Sequence, residues 1–180
     1  MVEKEVKLLL DENDYFALLA QFEWHERLVQ VNHYYVDNLY ALVREKISVR
    51  VRSVNNCLFL QIKQPIHIDD ALHIKEEYEE SIASIPSIIT SDKLHSVTGQ
   101  CFGNAFLIGH LETTRHIFKL SDSVTLFLDK NLYLGKVDYE VEIEFSDDEF
   151  DLTEFLLRFR IKSHRGAQGK YSRFMALARS

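Results

Sequence analysis

Glu140-Val141-Glu142-Ile143-Glu144-Phe145 alternates acidic and apolar residues without a break. Successive side chains of a strand point to opposite faces, so Glu140, Glu142 and Glu144 share one face and Val141, Ile143 and Phe145 the other. Carboxylates two residues apart on a strand are ~7 Å apart, from a rise of roughly 3.3 Å per residue. Like charges at that range repel and resist ionisation unless a cation or a basic group compensates them. A strand built this way calls for compensation from its neighbours.

The same two-residue period recurs along the chain. Glu3, Glu5 and Lys7 share a face of a strand over residues 2–10. Arg50 and Arg52 stand together opposite Val49 and Val51. Lys63 shares a face with Gln61 and Phe59, and Lys75, Glu77 and Glu79 form a further stripe. A half-exposed sheet shows the same alternation, with charges in water and apolar residues on the core. For one stripe that is the simpler reading. Charged stripes on most strands, some of one sign, weigh toward a sheet that turns its charges inward. Periodicity alone leaves both readings open. If the Glu pairs of two strands face one another, they form an all-oxygen cluster suited to Mg²⁺ or Mn²⁺. Arg and Lys on neighbouring strands suit phosphate oxygens, Arg with a bidentate fork.

The rest of the chain is read as further strands and a few helices. Strands are predicted near 28–37, 47–53, 57–64, 71–80, 105–119, 123–130 and 136–146. Asn55-Asn56 marks a hairpin between the third and fourth strands. Asp11 is a candidate N-cap for a helix carrying Phe16, Leu18, Leu19 and Phe22. A short helix is expected within 81–104, and an amphipathic one over 151–161 with Phe155, Leu156, Phe159 and Ile161 as packing residues. About eight strands with mainly antiparallel neighbours give an α+β class, and closure into a barrel removes the sheet edges.

The 180 residues, 46% hydrophobic, with six Gly and two Pro, predict one domain over 1–180 with no linker. A net charge of −7 argues against nucleic acid or an anionic membrane as partner. Two distant cysteines, Cys57 and Cys101, argue against a disulfide framework or a Cys-based zinc site. The charged start of the chain and the lack of a long apolar run predict a cytoplasmic protein, monomer or homodimer. The eight His show no metal-ligand spacing. The acidic run Asp147-Asp148-Glu149 with Asp151 is expected to be a solvated loop before a helix.

Glu3-Lys4-Glu5-Val6-Lys7 resembles the N-terminal E-x-E-x-K signature of the CYTH superfamily, the triphosphate tunnel metalloenzymes. Further segments follow in the family's order: Asn32-His33-Tyr34-Tyr35 with Asp37, Val49-Arg50-Val51-Arg52, Phe59 to Pro65 with Lys63, and His73-Ile74-Lys75-Glu76-Glu77-Tyr78. Arg115, Leu128-Asp129, Leu134-Gly135 before Glu140-Val141-Glu142, and Gly169-Lys170-Tyr171-Ser172-Arg173 complete the set. Two departures stand out: Thr113 replaces a lysine two before Arg115, and one extra residue separates Gly135 from the Glu pair.

The resemblance implies a closed eight-stranded antiparallel barrel, a triphosphate tunnel, with flanking helices. It implies Mg²⁺ or Mn²⁺ held by Glu3, Glu5, Glu140 and Glu142, with Glu144 and Glu77 as lesser candidates. Lys7, Arg50, Arg52, Lys63, Lys75, Arg115, Lys170 and Arg173 would line the substrate path, with Arg52 and Lys63 closest to the chemistry. Asp129 is expected to orient one of these bases rather than bind metal. The implied activity is metal-dependent hydrolysis of a small-molecule triphosphate, inorganic triphosphate ahead of nucleoside or thiamine triphosphate. Adenylate cyclase of the same family is the alternative, followed by a non-catalytic polyphosphate or nucleotide sensor. A barrel for lipids is opposed by the charged stripes if they face inward.

Overall fold

Inward-facing charge needs a closed wall around it, and the sheet provides one. The computed structural model describes residues 2–69, 72–146, 151–161 and 164–179, apart from the side chains of 2, 3, 68, 69, 164 and 165. Its strands are β1 (Val2–Leu10), β2 (Glu26–Asp37), β3 (Ser48–Val54), β4 (Cys57–Asp69), β5 (Leu72–Ser81), β6 (Ile88–Ile89), β7 (Ala105–Lys119), β8 (Val124–Tyr133), β9 (Lys136–Phe145) and β10 (His164–Gly166). Eight of them run in the order β1-β5-β4-β3-β2-β7-β8-β9, every pair antiparallel, and β9 returns to β1 to close the barrel. The short β6 and β10 add to β7 and β1.

Two tight turns set register. Asn55 and Asn56 both take positive φ, 50° and 62°, as the two-residue hairpin between β3 and β4 requires. Leu134 and Gly135, at 47° and 75°, make the equivalent turn between β8 and β9. From there the β8–β9 ladder runs without a shift, bringing Glu140 opposite Asp129 and Glu142 opposite Phe127. The extra residue after Gly135 therefore leaves the Glu pair on the inner face.

The apolar faces point outward, against helices. Val6, Leu8, Leu126, Leu128, Val141 and Ile143 pack under α1 (Glu12–Leu19), which buries Tyr15 and Leu18, and α4 (Leu152–Arg158), which buries Phe155. Ile161, Leu156 and Phe159 join this cluster, as predicted. Val49, Val51, Leu60 and Ile62 pack under α2 (Ala41–Arg44) and α3 (Ser91–Thr98) through Leu42 and Leu94. Asp11 caps α1 as expected, accepting from the Asp14 amide at 2.7 Å. The helix stops at Leu19, short of Phe22, because Trp24 Nε1 donates to the Leu19 carbonyl at 2.9 Å and satisfies a terminal acceptor. Phe22 still reaches the core, edge-on to Trp24 and tilted against Phe118 and Phe159. The segment 147–150 of the expected acidic loop lies outside the described residues, while Asp151 caps α4 through the Thr153 and Glu154 amides.

One end of the barrel is stopped by α5 (Lys170–Ala178). Tyr171, Phe174 and Met175 enter among the inward-facing Tyr34, Val36, Leu111 and Tyr133. Gly109, at φ +152°, makes room: a Cβ there would lie 2.9 Å from the Phe174 ring. No described helix is long and apolar enough to cross a membrane.

Candidate active site

Because residues paired across a ladder share a face, register alone places the charged stripes together. Arg52 lies opposite Asn32, Arg50 opposite Tyr34, Lys63 opposite Glu77, Glu5 opposite Glu144 and Lys7 opposite Glu142. The charged members of these pairs line one cavity of about 1070 Å³, together with Lys75, Arg115 and Lys170. Glu140 and Asp129 sit beneath its floor at 0% exposure. Val49, Val51, Val141 and Ile143 take the opposite face. The side chain of Glu3 lies outside the described residues; its backbone pairs with Lys75.

The acidic wall is a chain of alternating charge. Lys75 Nζ is 3.3 Å from Glu5, and Lys7 Nζ bridges Glu5 at 2.6 Å to Glu142. Glu142 also accepts from Arg115 and, at 2.8 Å, from Lys170. Lys170 continues to Glu140 and, at 2.7 Å, to Asp129, which holds Arg115 in a two-point bond of 2.8 and 2.6 Å. Burial opposes ionisation of Glu5, Asp129 and Glu142. For Glu5 the charges of Lys7, Lys75 and Lys63 outweigh burial and hold the carboxyl at about 2. Arg115 and Lys170 do the same for Asp129, and Lys7 and Arg115 for Glu142.

Asp129, Glu140 and Glu142 converge, with one oxygen from each within 4.8 Å of the others. An oxygen-only set of buried carboxylates fits a hard divalent cation. Lys170 Nζ now lies among these three groups, with burial pushing its pKa well below the usual lysine range against the pull of Asp129. Among the described residues, Glu5 touches this set through Lys7.

The opposite wall differs. Arg50 donates through Nε to Gln61 at 2.7 Å and Arg52 to Asn32 at 3.1 Å, both neutral amides. Neither guanidinium has a carboxylate at ion-pair distance among the described residues. Burial, Arg50 and Arg115 push Arg52 down to about 9, with Glu77 and Glu142 offsetting only part. A guanidinium stays charged at any working pH, so Arg52 is held charged against burial first and against the neighbouring positive charges second. Such a group gains most from an anion. Lys63 pairs with Glu77 at 3.0 Å on the same wall.

Arg173 does not reach the cavity. It lies behind Glu140 at 2.7 Å and beside Asp138 at 3.0 Å. Thr113, standing where a lysine is expected, donates to Asn131 at 2.7 Å, which bonds Asp138 at 3.0 Å. This buried chain of Thr113, Asn131, Asp138 and Arg173 had one signal in the sequence: Asp138 shares the parity of Glu140 and Glu142. Gln61 and Asn32, which aim the two arginines, share parity with Lys63 and Tyr34 but carry no charge to draw notice.

His73 also faces the cavity, buried, with Nε2 3.0 Å from the Ala167 carbonyl and Nδ1 without a partner among the described residues. Burial, then Lys75 and Lys7, push it from 6.5 to about 4. The unfolded chain therefore binds more protons between these values, and folding stability rises with pH across that window. Glu5 acts in the same sense lower down: its contribution is full above 4.5 and is lost as pH falls through about 2. Wild type is expected to gain on the order of 5 °C in melting temperature from pH 4 to 6.5 beyond what His73→Gln gains. Parallel curves for the two proteins would remove His73 from this account.

The CYTH domain family profile matches residues 1–174. YjbK of Bacillus subtilis (strain 168), a proposed triphosphatase, is 26% identical over 151 residues, covering 81% of this chain and 78% of that protein. The structure of HpAC1 from Hippeastrum, a proposed adenylyl cyclase described as having a dominant triphosphatase activity, superposes with a TM-score of 0.78. It is 19% identical, with 97% and 95% of the two chains covered. A proposed adenylate cyclase from Bacillus halodurans gives 0.75 at 24% identity, with 94% and 95% covered.

Proposed function

Since this chain belongs to the CYTH domain family, we propose that it hydrolyses a triphosphate inside the barrel with the help of a divalent cation, Mg²⁺ or Mn²⁺. The observation that carries the reading is the pairing of two unlike walls in one cavity. On one side Arg50 and Arg52 donate to the neutral amides of Gln61 and Asn32; on the other Asp129, Glu140 and Glu142 converge. The triphosphatase relatives YjbK and HpAC1 support the same reaction class.

Asp129, Glu140 and Glu142 would hold the cation, with Glu5 and Glu3 adding negative charge from β1. A bound divalent ion supplies Lewis-acid neutralisation of phosphate oxygens and a water made acidic enough to attack. Lys7 and Lys170, which now neutralise these carboxylates, would then turn their charge to phosphate. Arg50, Arg52 and Lys63 grip the substrate from the opposite wall, and Lys75 from beside Glu5. Arg115 is held in place by Asp129, so its charge meets the transferring phosphoryl group at no reorganisation cost. Arg173 acts from behind, positioning Glu140.

Phosphate release from inorganic triphosphate, thiamine triphosphate and ATP, with Mg²⁺ or Mn²⁺ and with chelator, tests the proposal. Orthophosphate and the diphosphate are expected only with metal; cyclic AMP and pyrophosphate from ATP would assign the cyclase instead. Arg52→Ala is expected to raise KM and lower kcat, reducing kcat/KM by roughly a hundredfold, since it meets charge in ground and transition states alike. Unchanged kinetics in that variant would take Arg52 out of the substrate path.

A further inference from the structure

The outer wall of the barrel is covered unevenly. Helices pack over the outward faces of β1, β8 and β9 and of β3 and β4. On the neighbouring β2 and β7 the outward side chains are less covered: His33 is half-buried, and His110 and Glu112 are exposed. His33 and His110 stand directly opposite each other in the β2–β7 ladder. Residues paired across a ladder share a face, so both imidazoles leave the barrel on the same side. Their ring centres lie 5.9 Å apart, with the planes at 43°. Neither ring is committed to a hydrogen bond among the described residues.

The pairing is fixed by packing inside the barrel. The adjacent residue of β7, Gly109, lies opposite Tyr34 and yields its space to the Phe174 ring, and the register shifts immediately beyond, between Tyr34 and Tyr35. A slip of β7 against β2 would drive a side chain into that ring. Two imidazoles held opposite one another make a chelating pair. Imidazole nitrogen suits Zn²⁺, Ni²⁺ and Cu²⁺, whereas Mg²⁺ takes oxygen. An ion bonded at ~2.1 Å to one nitrogen of each ring sets the ring centres ~5 Å apart. The rings reach that spacing by closing ~1 Å through side-chain rotation. Ligand imidazoles must be neutral, and burial first, then His110, holds His33 below the ordinary histidine value.

We propose that His33 and His110 form a second metal site, on the outer face of the barrel, for a borderline divalent ion of the zinc or nickel type. Glu112, next on the same face of β7, or water completes the coordination. The site differs from the interior carboxylates in ligand chemistry and does not depend on the reaction proposed above. An ion there clasps β2 to β7, and β2 carries on its other face Asn32, which aims Arg52.

Ni²⁺ is the probe, added to protein without an affinity tag. The interior carboxylates are common to wild type and variants, so differences between the proteins report the pair alone. Calorimetric titration is expected to show one Ni²⁺ per chain that His33→Asn and His110→Asn each weaken about a hundredfold, since a single imidazole lacks the gain of a second held beside it. Ni²⁺ at a hundred times its wild-type dissociation constant is expected to raise the wild-type melting temperature by about 5–10 °C, and that of either variant by about 1 °C. Equal Ni²⁺ affinity in wild type and folded variants, or no Ni²⁺-dependent melting shift in wild type, would overturn the site. If His33→Asn does not fold, the exposed position decides alone through His110→Asn.

Discussion

Glu142→Gln is expected to slow metal-dependent triphosphate hydrolysis by roughly a hundred- to a thousandfold. Glu142 is where the two halves of the interior meet. It accepts from Lys7, Arg115 and Lys170, and with Asp129 and Glu140 it completes the oxygen cluster. Glutamine keeps the shape but removes a hard anionic ligand and the charge that steadies three cations. The loss should fall on kcat, and higher metal concentration should restore part of it. Removing one partner of a buried ion pair costs about 3–5 kcal/mol, so rates must be referred to folded protein, by melting curve under assay conditions. A folded Glu142→Gln protein with full kcat at limiting metal would count decisively against the cation site.

The largest effect on stability is expected at the stopper. Phe174 is fully buried, packed against Tyr34 and Tyr133, and reaches into the space left by Gly109. Phe174→Ala removes a buried ring and leaves a void, at a cost of about 3–5 kcal/mol. For a chain of this size that lowers the melting temperature by roughly 6–20 °C, at about 2–4 °C per kcal/mol. Gly109→Ala attacks the same contact from the other side, adding a Cβ 2.9 Å from the ring in a backbone conformation that favours glycine. Because both changes act on one contact, the double variant should lose less than the sum of the two. Strict additivity in a thermal melt would mean that Gly109 and Phe174 do not act through each other.

The barrel was legible in the sequence because inward charge left its mark at every second residue. Glu140 and Glu142, Arg50 and Arg52, and Glu5 and Lys7 kept their period, and a two-residue period is what a ladder preserves. Periodicity could not tell inside from outside; that came from order along the chain, which resembled a known family. Of the elements not predicted, α2, β6 and β10 are four, two and three residues long, too short to repeat any pattern, while the nine-residue α5 was read only as a basic motif. Asp129 was expected to orient a base, and its two bonds to Arg115 agree, but its closeness to Glu140 depends on the β8–β9 register and on where Lys170 arrives. Arg173 shared a motif with Lys170 and reaches the same carboxylate, Glu140, but from behind, where Asp138 also holds it, so it does not line the cavity. Leu28, Val54, Ile117 and Phe127 look like ordinary strand residues until register shows that they line the cavity.

The closing ladder joins the first strand to the last long one, with Lys7 and Glu142 separated by 135 residues in sequence. A chain emerging from the ribosome makes β1 first and its β9 partner last. Until β9 is made, β1 offers an open edge, and the outward apolar faces of neighbouring strands lack α4. Long-range pairing of this kind is slow, because loop closure must precede any gain from contact. The nascent chain is therefore most prone to associate with other chains while roughly its first three quarters are complete. Glu3, Lys4, Glu5 and Lys7, set in that waiting strand, give it a dense run of charge that discourages edge-to-edge pairing with another copy. Residues that later serve the interior thus also guard the chain before an interior exists.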